Sequence, residues 1–160
     1  MWPMLQALDP LLGTSPFGFF ETPEGERTYW RRPLGQAGVE SADQPTFDLT
    51  NARKPVAVII GRRTASSGEM VALAFRARDD ARLFGQPTAG FATANATHIL
   101  SDGAALVLTE AYAGSRDGRR TDGRIYPETR LYPNEVRTAA KEWLSARCGS
   151  RPQARTALTR

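Results

Sequence analysis

The pattern of hydrophobic and polar positions divides the chain into three helical segments and several short strands. Apolar side chains three or four residues apart are typical of an amphipathic helix. They occur at Met4, Leu5, Leu8, Leu11 and Leu12, at Met70, Leu73 and Ala74, and at Val136, Ala139, Ala140, Trp143 and Leu144. Gly13 is typical of a helix end, whereas Pro133 and Asn134 are typical of a helix start.

The other apolar segments are short and lie between turn residues, which favours strands. The predicted strands are Phe17–Phe20, Arg27–Arg32, Val56–Ile60, Arg82–Phe84, His98–Leu100 and Ala104–Thr109. Turn residues at 22–25 and at 101–103 predict two β-hairpins. Residues 35–46 and 113–124 are predicted loops, and 125–128 are predicted to be extended. Strands that alternate with helices predict an α/β or mixed α+β fold around one sheet.

The amino-acid composition is that of a globular protein and argues against several classes of function. The chain has 160 residues, of which 41% are hydrophobic and 24% charged, and its net charge is +4. The excess positive charge is almost all arginine and is scattered, so we predict no nucleic-acid partner. No apolar segment approaches the length of a membrane span, and the first residues lack the features of a signal peptide. The compartment is left open.

Cysteine and histidine are too few for a metal site. Cys148 is the one cysteine and His98 the one histidine, so no pair has the spacing of zinc ligands. Cys148 lies near a polar tail, predicted to be frayed over residues 148–160. We therefore expect no metal, no cofactor and no catalytic thiol.

The segment between the strand 56–60 and the helix that follows carries the candidate chemistry. Small residues at such a turn allow close approach, and the free N–H groups of a helix start attract an anion or a developing oxyanion. Ser66 is therefore a candidate nucleophile. The alternative is a capping box, in which Ser66 caps the helix and Glu69 reaches back to it. Spacing alone leaves both interpretations open.

A serine nucleophile needs a base within hydrogen-bonding distance, and the chain offers no obvious one. His98 opens a strand of a predicted hairpin, and nothing in the sequence brings it close to Ser66. Lys54 precedes the central strand and lies at its far end. Asp79 and Asp80 end the central helix and are expected to face solvent.

Four ordered motifs resemble the tail-specific (C-terminal processing) serine proteases. They are TASSGE after the central strand, ARLFGQPTAG, LSDGAALVLTEAY and DGRIYPE. The resemblance implies a crotonase-like core of stacked strands and helices. It also implies that Ser66 is the nucleophile, that the N–H of Ser67 is an oxyanion donor, and that Glu69 is a supporting acid.

The chain departs from the family pattern in two places. In the Ser-Lys branch a lysine follows the T-x-G turn, whereas Phe91 follows Thr88-Ala89-Gly90 here. The resemblance is therefore closer to the branch of tricorn-type and interphotoreceptor retinoid-binding-like domains, in which the base is a histidine nearer the N-terminus. The D-L-R-x-N-x-G-G loop that supplies the second oxyanion donor is absent too.

These departures define the expected function. We expect residues 1–147 to be the C-terminal part of a longer peptidase core, with its base and one oxyanion donor outside this sequence. The expected substrate is a peptide or the unfolded C-terminus of a protein, and the isolated chain is expected to be inactive or nearly so. The alternative is a binding module for a peptide or an apolar ligand, with a pocket lined by Phe75, Phe91 and Leu106. Oligomeric state is left open.

Overall fold

The computed structural model describes residues 1–13, 15–31 and 54–149. In chain order the elements are α1 (Trp2–Leu12), β1 (Gly18–Glu21), β2 (Arg27–Tyr29), β3 (Val56–Ile60), α2 (Ser67–Phe75), β4 (Ala81–Gly85), β5 (Thr93–Ile99), β6 (Ala105–Ser115), β7 (Thr129–Arg130) and α3 (Val136–Gly149). The predicted mixed α+β class is confirmed.

The strands form two sheets, and the expectation of one sheet was wrong. An antiparallel sheet has the order β2-β1-β6-β5, and a parallel sheet has the order β3-β4-β7. Spacing along the chain did not reveal that β1 pairs with the distant end of β6, where Phe19 lies opposite Gly114. The parallel sheet follows from the strand-helix-strand connection through α2.

Helix α2 lies between the two sheets and forms the centre of the core. It packs against α1, against β3 and β4 of the parallel sheet, and against β6 of the antiparallel sheet. Its residues from Ala72 to Phe75 are all buried. Helix α3 covers the parallel sheet through a smaller cluster of Phe84, Val136 and Ala140. Because α2 is packed in the core, the turn at its start, which carries the candidate nucleophile, is held in a fixed position.

The described elements correct several predicted boundaries. Strand β5 begins at Thr93 rather than at His98, and β6 continues through Ser115 into the predicted loop 113–124. Helix α3 continues through Gly149, beyond the expected start of the tail at Cys148. The predicted loop 35–46 and residues 150–160 lie outside the described residues.

Gly85 allows the two central strands to approach closely at their carboxyl ends. Its φ is +118°, and a Cβ at this position would lie 2.2 Å from the carbonyl oxygen of Ile60. Only glycine fits such a conformation and such a distance. The carboxyl ends of β3 and β4 are thereby held together directly beside the turn that leads to Ser66.

Candidate active site

Ser66 lies at the sharp turn between β3 and α2. Its backbone has φ 50° and ψ −118°, a conformation that residues other than glycine rarely adopt. Ser66 is exposed to solvent, whereas Ser67 is partly buried. A strained strand-to-helix turn that exposes a serine is also the arrangement of the nucleophile in α/β-hydrolases.

The turn before Ser66 is fixed by three hydrogen bonds. The Thr64 N–H donates to the carbonyl of Gly61 at 2.8 Å. The Gly61 N–H donates to Thr64 Oγ1 at 3.1 Å. The Thr64 carbonyl accepts from the Ala89 N–H at 2.9 Å, which ties this turn to the turn that follows β4.

Glu69 joins the same two turns through a fully buried carboxylate. Its Oε2 accepts the N–H groups of Ser66 and Phe91, both at 2.8 Å. Its Oε1 accepts the Thr88 hydroxyl at 2.5 Å and the Gly90 N–H at 2.8 Å. Four donors therefore meet one carboxylate, which compensates for its burial.

Thr88 extends this network to a third segment. Its buried Oγ1 donates to Glu69 and accepts the N–H of Ile125 at 2.8 Å. The Thr88 N–H in turn donates to the carbonyl of Ile125 at 3.1 Å. Three chain segments are thus connected around Ser66 by these hydrogen bonds.

The capping-box interpretation is confirmed, because Ser66 is the N-cap of α2 and forms a capping box with Glu69. The Glu69 carboxylate accepts the Ser66 N–H, as the spacing predicts. The same carboxylate also binds three donors from residues 88–91, which no local cap requires. Capping and positioning of Ser66 therefore coexist.

The structure brings Ser66, Ser67 and Glu69 together and leaves the other candidates elsewhere. His98 lies on β5, half-exposed, and its Nε2 is 2.8 Å from Glu110 Oε1 on β6. Lys54 precedes β3, at the end of the strand opposite Ser66. Among the described residues, no histidine or lysine is hydrogen-bonded to Ser66.

Phe91 lies beside Ser66. Because the N–H groups of both residues donate to the same oxygen at 2.8 Å, their nitrogens are at most about twice that distance apart. The Phe91 side chain is 64% exposed. It forms an apolar surface next to the candidate nucleophile.

The pocket expected for a binding module, lined by Phe75, Phe91 and Leu106, does not form. Phe75 is 3% exposed and belongs to the core, whereas Phe91 and Leu106 are exposed on the surface. None of the three lines either of the clefts found at the carboxyl ends of the parallel strands.

The larger cleft, of about 510 Å³, begins two residues from Ser66. Its lining combines apolar residues with two arginines, and its members are Ile59, Ile60, Gly61, Arg62, Arg63, Thr64, Gly85, Gln86, Leu131, Pro133 and Val136. A second cleft continues it past Arg130, Tyr132 and Glu135. A groove thus runs along the carboxyl edge of the parallel sheet, and the turn that precedes Ser66 forms part of its lining.

The described residues contain no group of metal ligands and no helix that could span a membrane. No three His, Cys, Asp or Glu side chains there are grouped as a metal site would need. No described helix has both the length and the apolar character needed to cross a bilayer.

A family model described as peptidase family S41 matches residues 17–131. The chain belongs to peptidase family S41. This membership confirms the resemblance to the C-terminal processing proteases that the four motifs carry. Residues 17–131 include the turn with Ser66 and the whole network around Glu69.

Two further proteins are similar to this chain over most of its length. The chain is 29% identical over 152 residues to the nisin-resistance protein of Lactococcus lactis subsp. lactis, with 90% of the chain and 45% of that protein covered. The chain thus spans about half the length of this relative. A lipoprotein from Streptococcus agalactiae has a similar structure, with a TM-score of 0.71, 28% identity, and coverage of 91% of this chain and 50% of that one.

The photosystem II D1 C-terminal processing protease shares the fold. Its TM-score is 0.63 at 21% identity, with 83% of this chain and 32% of that chain covered. At this identity the comparison concerns the fold alone.

Sequence reasoning missed the partners of Glu69 at residues 88–91. The motif marks Thr88-Ala89-Gly90 as a turn, but it does not predict the contact of this turn with Glu69. The signal lay in Glu69 itself. It stands in an otherwise apolar helix, so a buried carboxylate with several donors was to be expected.

Proposed function

We propose that this chain carries the nucleophile of a serine-type peptidase. The observation that supports it is Ser66, an exposed serine in a strained turn at the start of a buried helix. A backbone strain of about 1–3 kcal/mol is retained where the surroundings impose it, and such sites are often functional. Membership of peptidase family S41 supports peptide-bond hydrolysis as the reaction.

In the proposed reaction, Ser66 Oγ attacks the carbonyl carbon of the scissile peptide bond. Its proton passes to a general base, and the carbonyl oxygen becomes an oxyanion. The C–N bond then breaks, the amine leaves with a proton, and an acyl ester on Ser66 remains. Water hydrolyses this ester and restores the hydroxyl group.

Ser67 is the proposed oxyanion donor. It is the first residue of α2, and the first N–H groups of a helix have no acceptor within the helix. They also carry the positive end of the helix dipole, so they stabilise negative charge nearby. The residue after the nucleophile therefore provides a donor without any further side chain.

Glu69 is the proposed positioning residue rather than a group that touches the substrate. Its four hydrogen bonds hold the Ser66 N–H and the turn at residues 88–91 in fixed relation. Its burial and its full set of donors suit this role better than proton transfer.

The general base is proposed to come from outside the described residues. His98 is occupied with Glu110 and Lys54 lies at the far end of β3. The family position that holds lysine in one branch is Phe91 here. We therefore propose that the isolated chain has little activity and that a base from additional sequence completes the site.

Chemical rescue tests this proposal on the chain as it stands. The chain is treated with a fluorophosphonate with and without imidazole, which replaces a missing base, and the modified residue is located by mass spectrometry. Imidazole should accelerate modification at Ser66. The variant Ser66→Ala should lose the adduct and Ser67→Ala should keep it. Equal labelling of Ser66→Ala would refute the assignment of Ser66.

A further inference from the structure

The groove at the carboxyl ends of β3, β4 and β7 has a distinctive arrangement of charge. Its floor is apolar and includes Ile60, Leu131 and Val136, whereas Arg62 and Arg63 stand on its rim. Thr64 belongs to the same lining, so the groove begins within two residues of Ser66. A ligand in the groove would therefore contact the turn that leads to the candidate nucleophile.

The two rim arginines are held by a rigid turn. Arg62 and Arg63 are the central residues of the turn that is closed by the hydrogen bond from the Thr64 N–H to the Gly61 carbonyl. The Gly61 N–H bond to Thr64 Oγ1 and the Ala89 N–H bond to the Thr64 carbonyl fix the same turn. Both arginines are exposed. A fixed turn places their guanidinium groups at the groove at a low cost in backbone entropy.

Negative charge is scarce around these arginines. Arg62 and Arg63 have no ion-pair partner among the described residues, and Arg130 adds a third positive charge in the adjoining cleft. Glu135 is the one carboxylate among the lining residues of the two clefts, and its Oε2 accepts the N–H of Tyr132 at 3.1 Å. Positive charge is thus in excess along the groove.

We propose that this groove binds a peptide in which a carboxylate group stands next to an apolar side chain. The apolar side chain would lie on the floor, and the carboxylate would accept hydrogen bonds from Arg62 or Arg63. The planar guanidinium donates two parallel hydrogen bonds to a carboxylate, which makes arginine well suited to this recognition. The proposal rests on the proposed function, because it names the substrate class of the same site.

The carboxylate has two chemical sources, an Asp or Glu side chain and the free C-terminus of the peptide. The groove supplies the same arginines to both. The experiment therefore uses peptides that differ in one carboxylate at a time.

Binding is measured by fluorescence anisotropy of labelled peptides added to the chain, so the result does not require catalysis. Four versions of one short Leu-containing peptide are compared, with Glu or Gln after the leucine and with a free or an amidated C-terminus. We expect the amidated Gln peptide to bind about tenfold more weakly than the best acidic version, and the gap to shrink at high salt. The Glu and free-terminus versions identify the source of the carboxylate. Equal binding of all four peptides would refute the proposal, as would no binding of any.

Variants of the chain locate the binding site. The double variant Arg62→Ala/Arg63→Ala should lose most of the preference for the acidic peptide. The double variant Arg119→Ala/Arg137→Ala is the matched control, because it also removes two exposed arginines and neither of them lines a cleft. An equal loss in this control would show general charge attraction and overturn the proposal. If the Arg62→Ala/Arg63→Ala variant does not fold, the comparison of peptides on the unaltered chain still decides.

Failure of this proposal is distinct from failure of the proposed function. The variant Ser66→Ala should bind the acidic peptide as the unaltered chain does, although it loses the fluorophosphonate adduct. If Ser66 is labelled but the chain does not prefer peptides with a carboxylate, the proposal for the groove is refuted and the peptidase proposal is not.

Discussion

The substitution Glu69→Gln tests the network that holds Ser66. Each oxygen of Glu69 accepts two donors, so the amide nitrogen of glutamine faces two donors whichever way it is oriented. The Thr88 hydroxyl can rotate to accept instead, but a backbone N–H cannot. At least one backbone N–H, that of the partly buried Gly90 in the less costly orientation, is left without an acceptor.

The magnitude follows from this count. A buried donor left unpaired costs about 1–3 kcal/mol, and hydrogen bonds to a charged acceptor contribute more than neutral ones. We therefore expect Glu69→Gln to lower the free energy of unfolding by about 2–4 kcal/mol. That is a large part of the roughly 5–15 kcal/mol that stabilises a domain.

Urea denaturation followed by circular dichroism measures this loss, because the midpoint shifts in proportion to stability when the slope is unchanged. Glu128→Gln is the matched control. Glu128 accepts one backbone N–H, that of Leu83 at 2.7 Å, and a glutamine oxygen can still accept it. Its cost should stay below about 1 kcal/mol. A Glu69→Gln variant within about 0.5 kcal/mol of the unaltered chain would refute the role of the network.

Three further substitutions test neighbouring features. Thr88→Val removes the hydroxyl that joins Glu69 to Ile125, so it should lower the free energy of unfolding by about 1–3 kcal/mol in urea denaturation. The control Thr138→Val changes an exposed threonine and should cost little. Equal losses of stability in the two variants would contradict this role of Thr88. Gly85→Ala should lower the melting temperature by several degrees, because the new Cβ would lie 2.2 Å from the Ile60 carbonyl oxygen. The control Gly61→Ala places its Cβ in open space and should change the melting temperature little. An unchanged melting temperature in Gly85→Ala would refute the close approach of the two strands. Arg116→Met should lower the free energy of unfolding by about 1–3 kcal/mol, because Arg116 Nη2 donates to the carbonyls of Leu12 at 2.8 Å and Ala74 at 2.6 Å. A urea midpoint equal to that of Arg119→Ala would contradict this prediction.

Local patterns predicted the elements well and their pairing poorly. Strand β3 matches its predicted bounds, because a β-branched run between Pro55 and Gly61 has one plausible structure. The existence of two sheets was missed, because pairing of β1 with the end of β6 depends on residues far apart in sequence. Periodicity carries no information about such contacts.

The end of β6 shows why the predicted loop at 113–124 was wrong at its first residues. Gly114 suggested a loop, yet it lies in the strand opposite Phe19. A Cβ on Gly114 would lie 2.1 Å from the Phe19 ring, so the glycine makes room for an aromatic side chain rather than ending the strand. The reason is visible only in the packing.

The site was predicted in part. The motif identified Ser66, Ser67 and Glu69 by number, and the structure places them at one turn. The sequence could not reveal that Glu69 binds Gly90 and Phe91, because backbone donors have no signature in the side chains. The catalytic roles of these residues remain predictions.

The most direct test of the central claim is the site of fluorophosphonate modification in the presence of imidazole. Trypsin releases residues 64–76 as one peptide that contains both Ser66 and Ser67, and its fragment ions distinguish them. The proposed mechanism predicts an adduct on Ser66 whose rate of formation rises with imidazole concentration. An adduct on Ser67 or on a serine outside this peptide, or a rate that imidazole does not change, would contradict it.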